Sequence, residues 1–133
     1  MSVQDACVEW TGNRQTDVNT AMLQGPYNLS FDDLELVVPG HQCGVYALGH
    51  LDSKQTFRVH RIGRDDHDLR QRLRDLIGSS MRFKFASMTD PQQAFVSECE
   101  LFHRLRPPGN IIHPERKPGS DWRCPICSQY RIE

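Results

Sequence analysis

Residues 43–62 read CGVYALGHLDSKQTFRVHRI. Two strand-like runs, Cys43 to Leu48 and Thr56 to Ile62, flank a polar turn at His50-Leu51-Asp52-Ser53-Lys54. That pattern predicts an antiparallel hairpin, with Phe57 and Val59 on one face of its second strand. Beyond it, Gly63 to Asp66 reads as a connector, and Asp65 or Asp66 suits the N-cap of a helix running to about Ile77, where Gly78 stops it. Met81 to Ser87 reads as a third strand. Thr89 or Asp90 caps a second helix with Pro91 in its first turn; this helix runs to Leu105 and ends before Pro107-Pro108-Gly109. Strand, strand, helix, strand, helix is an α+β order with a small, mostly antiparallel sheet.

Outward from this centre the signals weaken. Residues 1–29 are polar and broken by Gly25-Pro26, and are expected to be partly ordered at best. Ser30 to Val38 reads as a short helix or strand closed by Pro39-Gly40. Residues 106–133 are rich in proline, glycine and charge, with too little apolar content to order without a staple. The expected organisation is an acidic segment at 1–41, a core at 42–112 and a stapled tail at 113–133. A length of 133 residues favours one domain. Mean hydropathy is −0.59, and no apolar run approaches the roughly 20 residues of a membrane span. The start Met-Ser-Val-Gln-Asp-Ala-Cys has no basic or apolar leader, so the expected location is cytoplasmic. Five cysteines are an odd set for a disulfide scaffold and point to metal ligation or free thiols in a reducing compartment.

The net charge of −1 hides an asymmetry: residues 1–42 carry one base and six acids, and residues 43–133 carry fifteen bases and eleven acids. Six arginines fall between Arg58 and Arg74. They form either a solvated face shared with Asp65, Asp66 and Asp68 or an anion-facing surface for nucleic acid. The acidic first segment could dock on a protein partner or fold back over that surface.

Each helix carries one charged residue in its apolar stripe. Arg72 falls among Leu69, Leu73, Leu76 and Ile77; Glu98 falls among Ala94, Leu101, Phe102 and Leu105. An inward charge needs a partner or a wet cavity. One reading is a mutual Arg72–Glu98 ion pair tying the helices. The other is a functional site: a carboxylate holding a divalent metal with mostly water ligands, and a guanidinium clamping a phosphate, a combination suited to phosphodiester hydrolysis.

Gly44-Val45-Tyr46, Arg61-Ile62-Gly63, Leu69-x-x-Arg72-Leu73 and Ala94-x-x-x-Glu98, followed by Leu101-Phe102, Pro107 and Asn110, resemble in order and spacing the GIY-YIG nuclease superfamily. The likeness covers residues 42–112. It implies a three-stranded antiparallel sheet flanked by helices and an endonuclease that cleaves nucleic acid, DNA being the expected substrate, with one Mg²⁺ or Mn²⁺. It also implies site roles: Glu98 holds the metal, Arg72 binds the scissile phosphate, Tyr46 faces the attacking water, and Asn110 orients its neighbours. Arg61 stands where the family has tyrosine, and a guanidinium cannot act as a general base. His60 could titrate, but strand alternation sends it to the opposite face. Leu76 replaces a His or Tyr, and Arg64 matches a basic position suited to phosphate. These departures keep a second reading open: a weakened or silent module that binds nucleic acid or protein without cutting.

Cys124-Pro125-Ile126-Cys127 is a C-x-x-C pair able to chelate Zn²⁺. Cys99 and His103, four apart on the second helix, would complete a closed structural site that staples the tail. His113 replacing one helical ligand, a redox C-x-x-C, and free thiols beside a core histidine are the alternatives. Cys7 and Cys43 remain over, Cys43 as a small apolar residue. Some short GIY-YIG-like proteins look similar in ending with such a pair after a tryptophan, here Trp122.

Overall fold

A computed structural model describes residue 20 and residues 22–127. Its elements are β1 (Gln24–Asn28), α1 (Phe31–Val37), β2 (Cys43–Leu51), β3 (Phe57–Asp65), α2 (Leu69–Asp75), β4 (Arg82–Met88) and α3 (Pro91–Leu105). The fold is α+β, and the described sheet is antiparallel with the order β1-β4-β2-β3. It has four strands rather than the expected three. The added strand, β1, lies in the stretch expected to be partly ordered. Gly25-Pro26 interrupts its alternation, and the register shifts between Gln24 and Tyr27. An edge strand tolerates a proline that a central strand would not, which is why the pattern was illegible.

The hairpin forms, and it is longer than the sequence suggested. β2 and β3 pair from Gly44 opposite Asp65 to Leu51 opposite Phe57. Asp52 closes the turn by accepting from the N–H groups of Lys54 (2.8 Å) and Thr56 (3.0 Å). Gly63 to Asp65, expected as connector, continue β3. The helix start therefore moves on: Asp68, not Asp65 or Asp66, caps α2 by accepting from the Gln71 N–H. Asp65 instead accepts from the N–H groups of His67 and Asp68, which turns the chain into the helix. Gly78 follows at φ 99°, a left-handed conformation that suits glycine. At α3 the expectation holds, with Asp90 as N-cap and Pro91 in the first turn.

Alternation along β2 divides the core. Tyr46 and Leu48 point to the α1–α2 side and pack with Leu34, Val38, Leu69, Leu73, Phe83 and Phe85. Val45 and Ala47 point to the α3 side, with Phe57, Ile62, Leu101 and Phe102. Each large side chain so buried is worth about 1.5–3 kcal/mol in transfer. A third, smaller cluster of Phe95, Cys99 and Cys124 sits under the tail with Trp122. Leu34 is fully buried in the same cluster as Tyr46, so α1 is part of the packed core. Residues 1–19, most of the acidic segment, lie outside the described residues. Among the described residues no helix is long and apolar enough to cross a membrane.

β3 is the sheet edge, and the chain after α3 covers it. The Gly109 N–H donates to the His60 carbonyl at 2.6 Å. The Asn110 side chain both accepts from the Ile62 N–H (2.7 Å) and donates to the Ile62 carbonyl (3.0 Å). An amide that mimics a neighbouring strand blocks edge pairing.

Candidate functional site

The charged residues gather around the C-terminal half of β3. Arg64 lies opposite Val45 in the sheet register and so faces α3. Its Nη1 donates to Glu98 Oε1 at 2.7 Å and its Nε to Asp66 Oδ1 at 2.8 Å. Both side chains of the Arg64–Glu98 pair are about nine-tenths buried, at 11% and 10% exposure. Burial pushes the Glu98 carboxyl above the usual range; Arg64 opposes this but is shared with Asp66, whose own charge pushes the same way as burial. Glu98 therefore turns inward as its position in the stripe of α3 requires.

Arg72 does not meet Glu98. Its Nε lies 3.4 Å from Asp65 Oδ1, and its side chain is half exposed. The helix is only seven residues long and ends at Asp75; Leu76 beyond it still packs on the core beside Leu69 and Leu73, but Ile77 does not continue the stripe. With Ile77 43% exposed, Arg72 lies at the margin of the buried face rather than within it. The inter-helix Arg72–Glu98 pair is thus replaced by a strand-to-helix pair, Arg64–Glu98. Sequence periodicity could not find it, because it depends on β3 running through Arg64.

Tyr46 is buried on the α2 side of the sheet, opposite Gly63 on β3. A side-chain carbon at Gly63 would overlap the phenol oxygen, so glycine there lets the ring lie across the edge strand. Burial raises the Tyr46 pKa, while the nearby positive charges of Arg61 and Arg72 pull it back. Glu98 and Asp65 act on the same phenol with the opposite sign. Tyr46, Arg61, Arg72 and Glu98 are therefore one electrostatic neighbourhood spanning both sides of the edge strand.

The arginine run is largely spent inside the molecule. Arg58 pairs with Asp52, Arg64 with Asp66 and Glu98, Arg70 and Arg74 with Glu35, and Arg72 with Asp65. Arg61 is exposed. Of the three aspartates expected to share this face, Asp65 and Asp66 pair with arginines and Asp68 with His41; Arg61 and the half-exposed Arg72 remain as groups that face solvent. The Leu48–Gly49 irregularity inserts His60 into β3, so simple alternation does not place it. Its Nε2 lies 2.9 Å from the Ser80 hydroxyl, and burial lowers its pKa. Asn110 touches the backbone of β3 rather than the charged groups, and so holds the strand that carries Gly63 and Arg64.

Below this cluster, His103, His113, Cys124 and Cys127 bring four ligand atoms within 4.8 Å of one another, a group that could hold a metal ion. The His103 and His113 Nε2 atoms are 3.2 Å apart, and the Cys127 sulfur is 3.4 Å from His113 Nε2. Tetrahedral zinc with bonds of about 2.0 Å to nitrogen and 2.3 Å to sulfur separates two nitrogens by about 3.3 Å and nitrogen from sulfur by about 3.5 Å. The His113 Nδ1–H donates to the Pro114 carbonyl at 2.8 Å, which leaves the Nε2 lone pair aimed into the group. Cys99, expected as a ligand, lies outside the four. It is fully buried against Phe95 and Cys124, and burial, with Cys124 beside it, raises its pKa far above the ordinary thiol value. His113 takes its place, because the loop pinned by Asn110 returns the chain to the side of α3. Cys43 is buried, with its thiol donating to the Met88 carbonyl; Cys7 lies outside the described residues.

Comparison with protein-family models, with curated proteins and with solved structures finds no match to this chain. The upper cluster can bind an anion through Arg61 and Arg72 and offers a buried carboxylate. The lower one, with four protein ligands and no vacant position, is suited to a structural ion.

Proposed function

We propose that the protein is a divalent-metal-dependent nuclease that hydrolyses phosphodiester bonds of nucleic acid, DNA being the expected substrate, at the edge of β3. The observation that carries this reading is the inward Glu98 carboxylate, held with Arg64 in the same electrostatic neighbourhood as Tyr46, Arg61 and Arg72. A buried carboxylate needs compensating positive charge, which Arg64 supplies. A single carboxylate is a hard oxygen ligand, which suits a hard cation that keeps most of its water ligands. Mg²⁺ or Mn²⁺ held by Glu98 would supply Lewis-acid stabilisation of the phosphoryl charge. Arg61 and Arg72 bind the phosphate from the solvent side, and Tyr46 orients the attacking water. Its raised pKa keeps the phenol protonated at neutral pH, which favours an orienting role over that of a base. The resemblance to GIY-YIG nucleases rests on the sequence motifs and adds to this reading.

Zn²⁺ is the ion we assign to His103, His113, Cys124 and Cys127, where it staples the tail to α3.

A second reading is favoured by one specific contact. Arg64 occupies the Glu98 carboxylate and Arg61 replaces a tyrosine, the arrangement of a module that binds nucleic acid without cutting it. One assay separates the two. Incubation of single- and double-stranded DNA and RNA with Mg²⁺ or Mn²⁺ is expected to give metal-dependent cleavage that Glu98→Ala abolishes and Arg72→Ala lowers by about 10²-fold or more. Salt-sensitive binding with no cleavage under either metal, unchanged in Glu98→Ala, would establish the silent module instead.

A further inference from the structure

The two clusters share one helix and one ring. On α3, Phe95 and Glu98 lie toward the charged site, and His103, five residues after Glu98, belongs to the Cys/His group. Trp122, two residues before Cys124, joins them from the tail side. Its ring lies 5.6 Å from that of Phe95, and its carbonyl accepts from Arg116 Nη1 at 3.2 Å. The Arg64 guanidinium sits 5.1 Å from the Phe95 ring and 5.7 Å from the Trp122 ring. Two aromatic faces thus shelve the group that holds Glu98 and Asp66. Cation–π contact of this kind is strongest where water is excluded, and Arg64 is only 11% exposed. Phe95 is fixed within α3. Trp122 belongs to a stretch of described residues, 106–127, without helix or strand; Gly109 and Asn110 tie its start to β3, and beyond them Cys124 packs against Phe95 and Cys99 beside the Cys/His group.

We propose that metal occupancy of the His103–His113–Cys124–Cys127 group sets the position of Arg64 against Glu98, with Trp122 as the positioning residue between them. This rests on the metal reading of that group but not on nuclease activity. Empty, the group leaves thiols and imidazoles with no shared centre, and the tail is released. Trp122 then leaves Arg64, whose guanidinium gains water on the vacated side and is no longer confined to one geometry with the carboxylate. The charged site is complete only when the tail is docked.

The test uses the full chain with Trp10→Phe, which leaves Trp122 as the sole tryptophan of the two in the sequence. Elemental analysis is expected to give one zinc per chain; a chain without zinc, and unable to take it up, overturns the metal reading itself. In the zinc-loaded protein the Arg64 side-chain N–H signal in nitrogen NMR, assigned by its loss in Arg64→Lys, is expected to stand apart from those of exposed arginines. Chelation should merge it with them and red-shift Trp122 emission, and added zinc should restore both. Trp122→Leu is expected to lose the separate signal while keeping its zinc, and Trp122→Phe to retain it. An Arg64 signal that stays in place after chelation, or in Trp122→Leu with zinc bound, overturns the proposal. Should Trp122→Leu shed zinc, the chelation experiment decides alone.

Discussion

Glu98 holds a carboxylate where water can barely reach it. Its folded pKa is raised, first by burial, against the opposing pull of Arg64. Between the ordinary carboxylate value of about 4.3 and the folded value, the native protein binds a proton that the unfolded chain has released. That contribution to stability is present below the ordinary value and is lost as pH rises through the folded one. Glu98→Gln removes the titration. The stability of Glu98→Gln relative to the parent is therefore expected to improve as pH rises above the ordinary carboxylate range and to level off once the folded carboxyl has ionised, read from urea midpoints at several pH values. A relative stability that worsens over that range would mean that Arg64 outweighs burial and the carboxyl is depressed. The inward carboxylate itself was legible, because Glu98 lies within the apolar stripe of a helix whose cap and proline are unambiguous. Its partner was not. Arg72 satisfies the same spacing rule, but spacing cannot say where a seven-residue helix stops or which strand runs beside it.

At the scale of an element, β3 decides the site. Its extension through Asp65 puts Arg64 on the α3 side and Gly63 under Tyr46. Its exposed edge is capped by Asn110, whose amide engages both backbone groups of Ile62. Asn110→Ala leaves an N–H and a carbonyl of a partly buried strand without those partners. It is expected to cost about 1–3 kcal/mol, measured by urea unfolding, and to raise amide exchange at Ile62 above that of β2. Exchange at Ile62 equal to the parent's would assign the loop only a covering role. The motif position of Asn110 was visible in the sequence, but its backbone target was not, since it is 48 residues away.

At the scale of the whole molecule, the hydrophobic core is centred on the sheet, and the tail is attached to it from outside. Zinc removal is accordingly expected to raise amide exchange across residues 111–127, beyond the Gly109 and Asn110 contacts to β3, and to leave β2 and β4 protected. Loss of protection throughout the sheet would instead make the ion part of the core's own stability. Acid should release the ion, because protons compete for imidazole and thiolate. Burial, with the positive potential of His113 and Arg106, lowers the His103 pKa. That shift works against protonation of this imidazole, and a dye that reports free zinc during an acid titration should follow the release of the ion.

Local chemistry alone determined much of this protein. The hairpin follows from alternation, α3 from Asp90-Pro91 and its stripe, the inward Glu98 from that stripe, and the metal-binding tendency of the tail from Cys124 and Cys127. These are properties of neighbours along the chain, which periodicity and capping express directly. Tertiary structure decided the rest: β1 as a fourth strand, Arg64 rather than Arg72 against Glu98, and His113 rather than Cys99 in the group that could hold a metal ion. Each of these joins residues distant in sequence or depends on where an element ends. Such choices are settled by which groups can be desolvated together, a property of the packed molecule that no window of sequence contains.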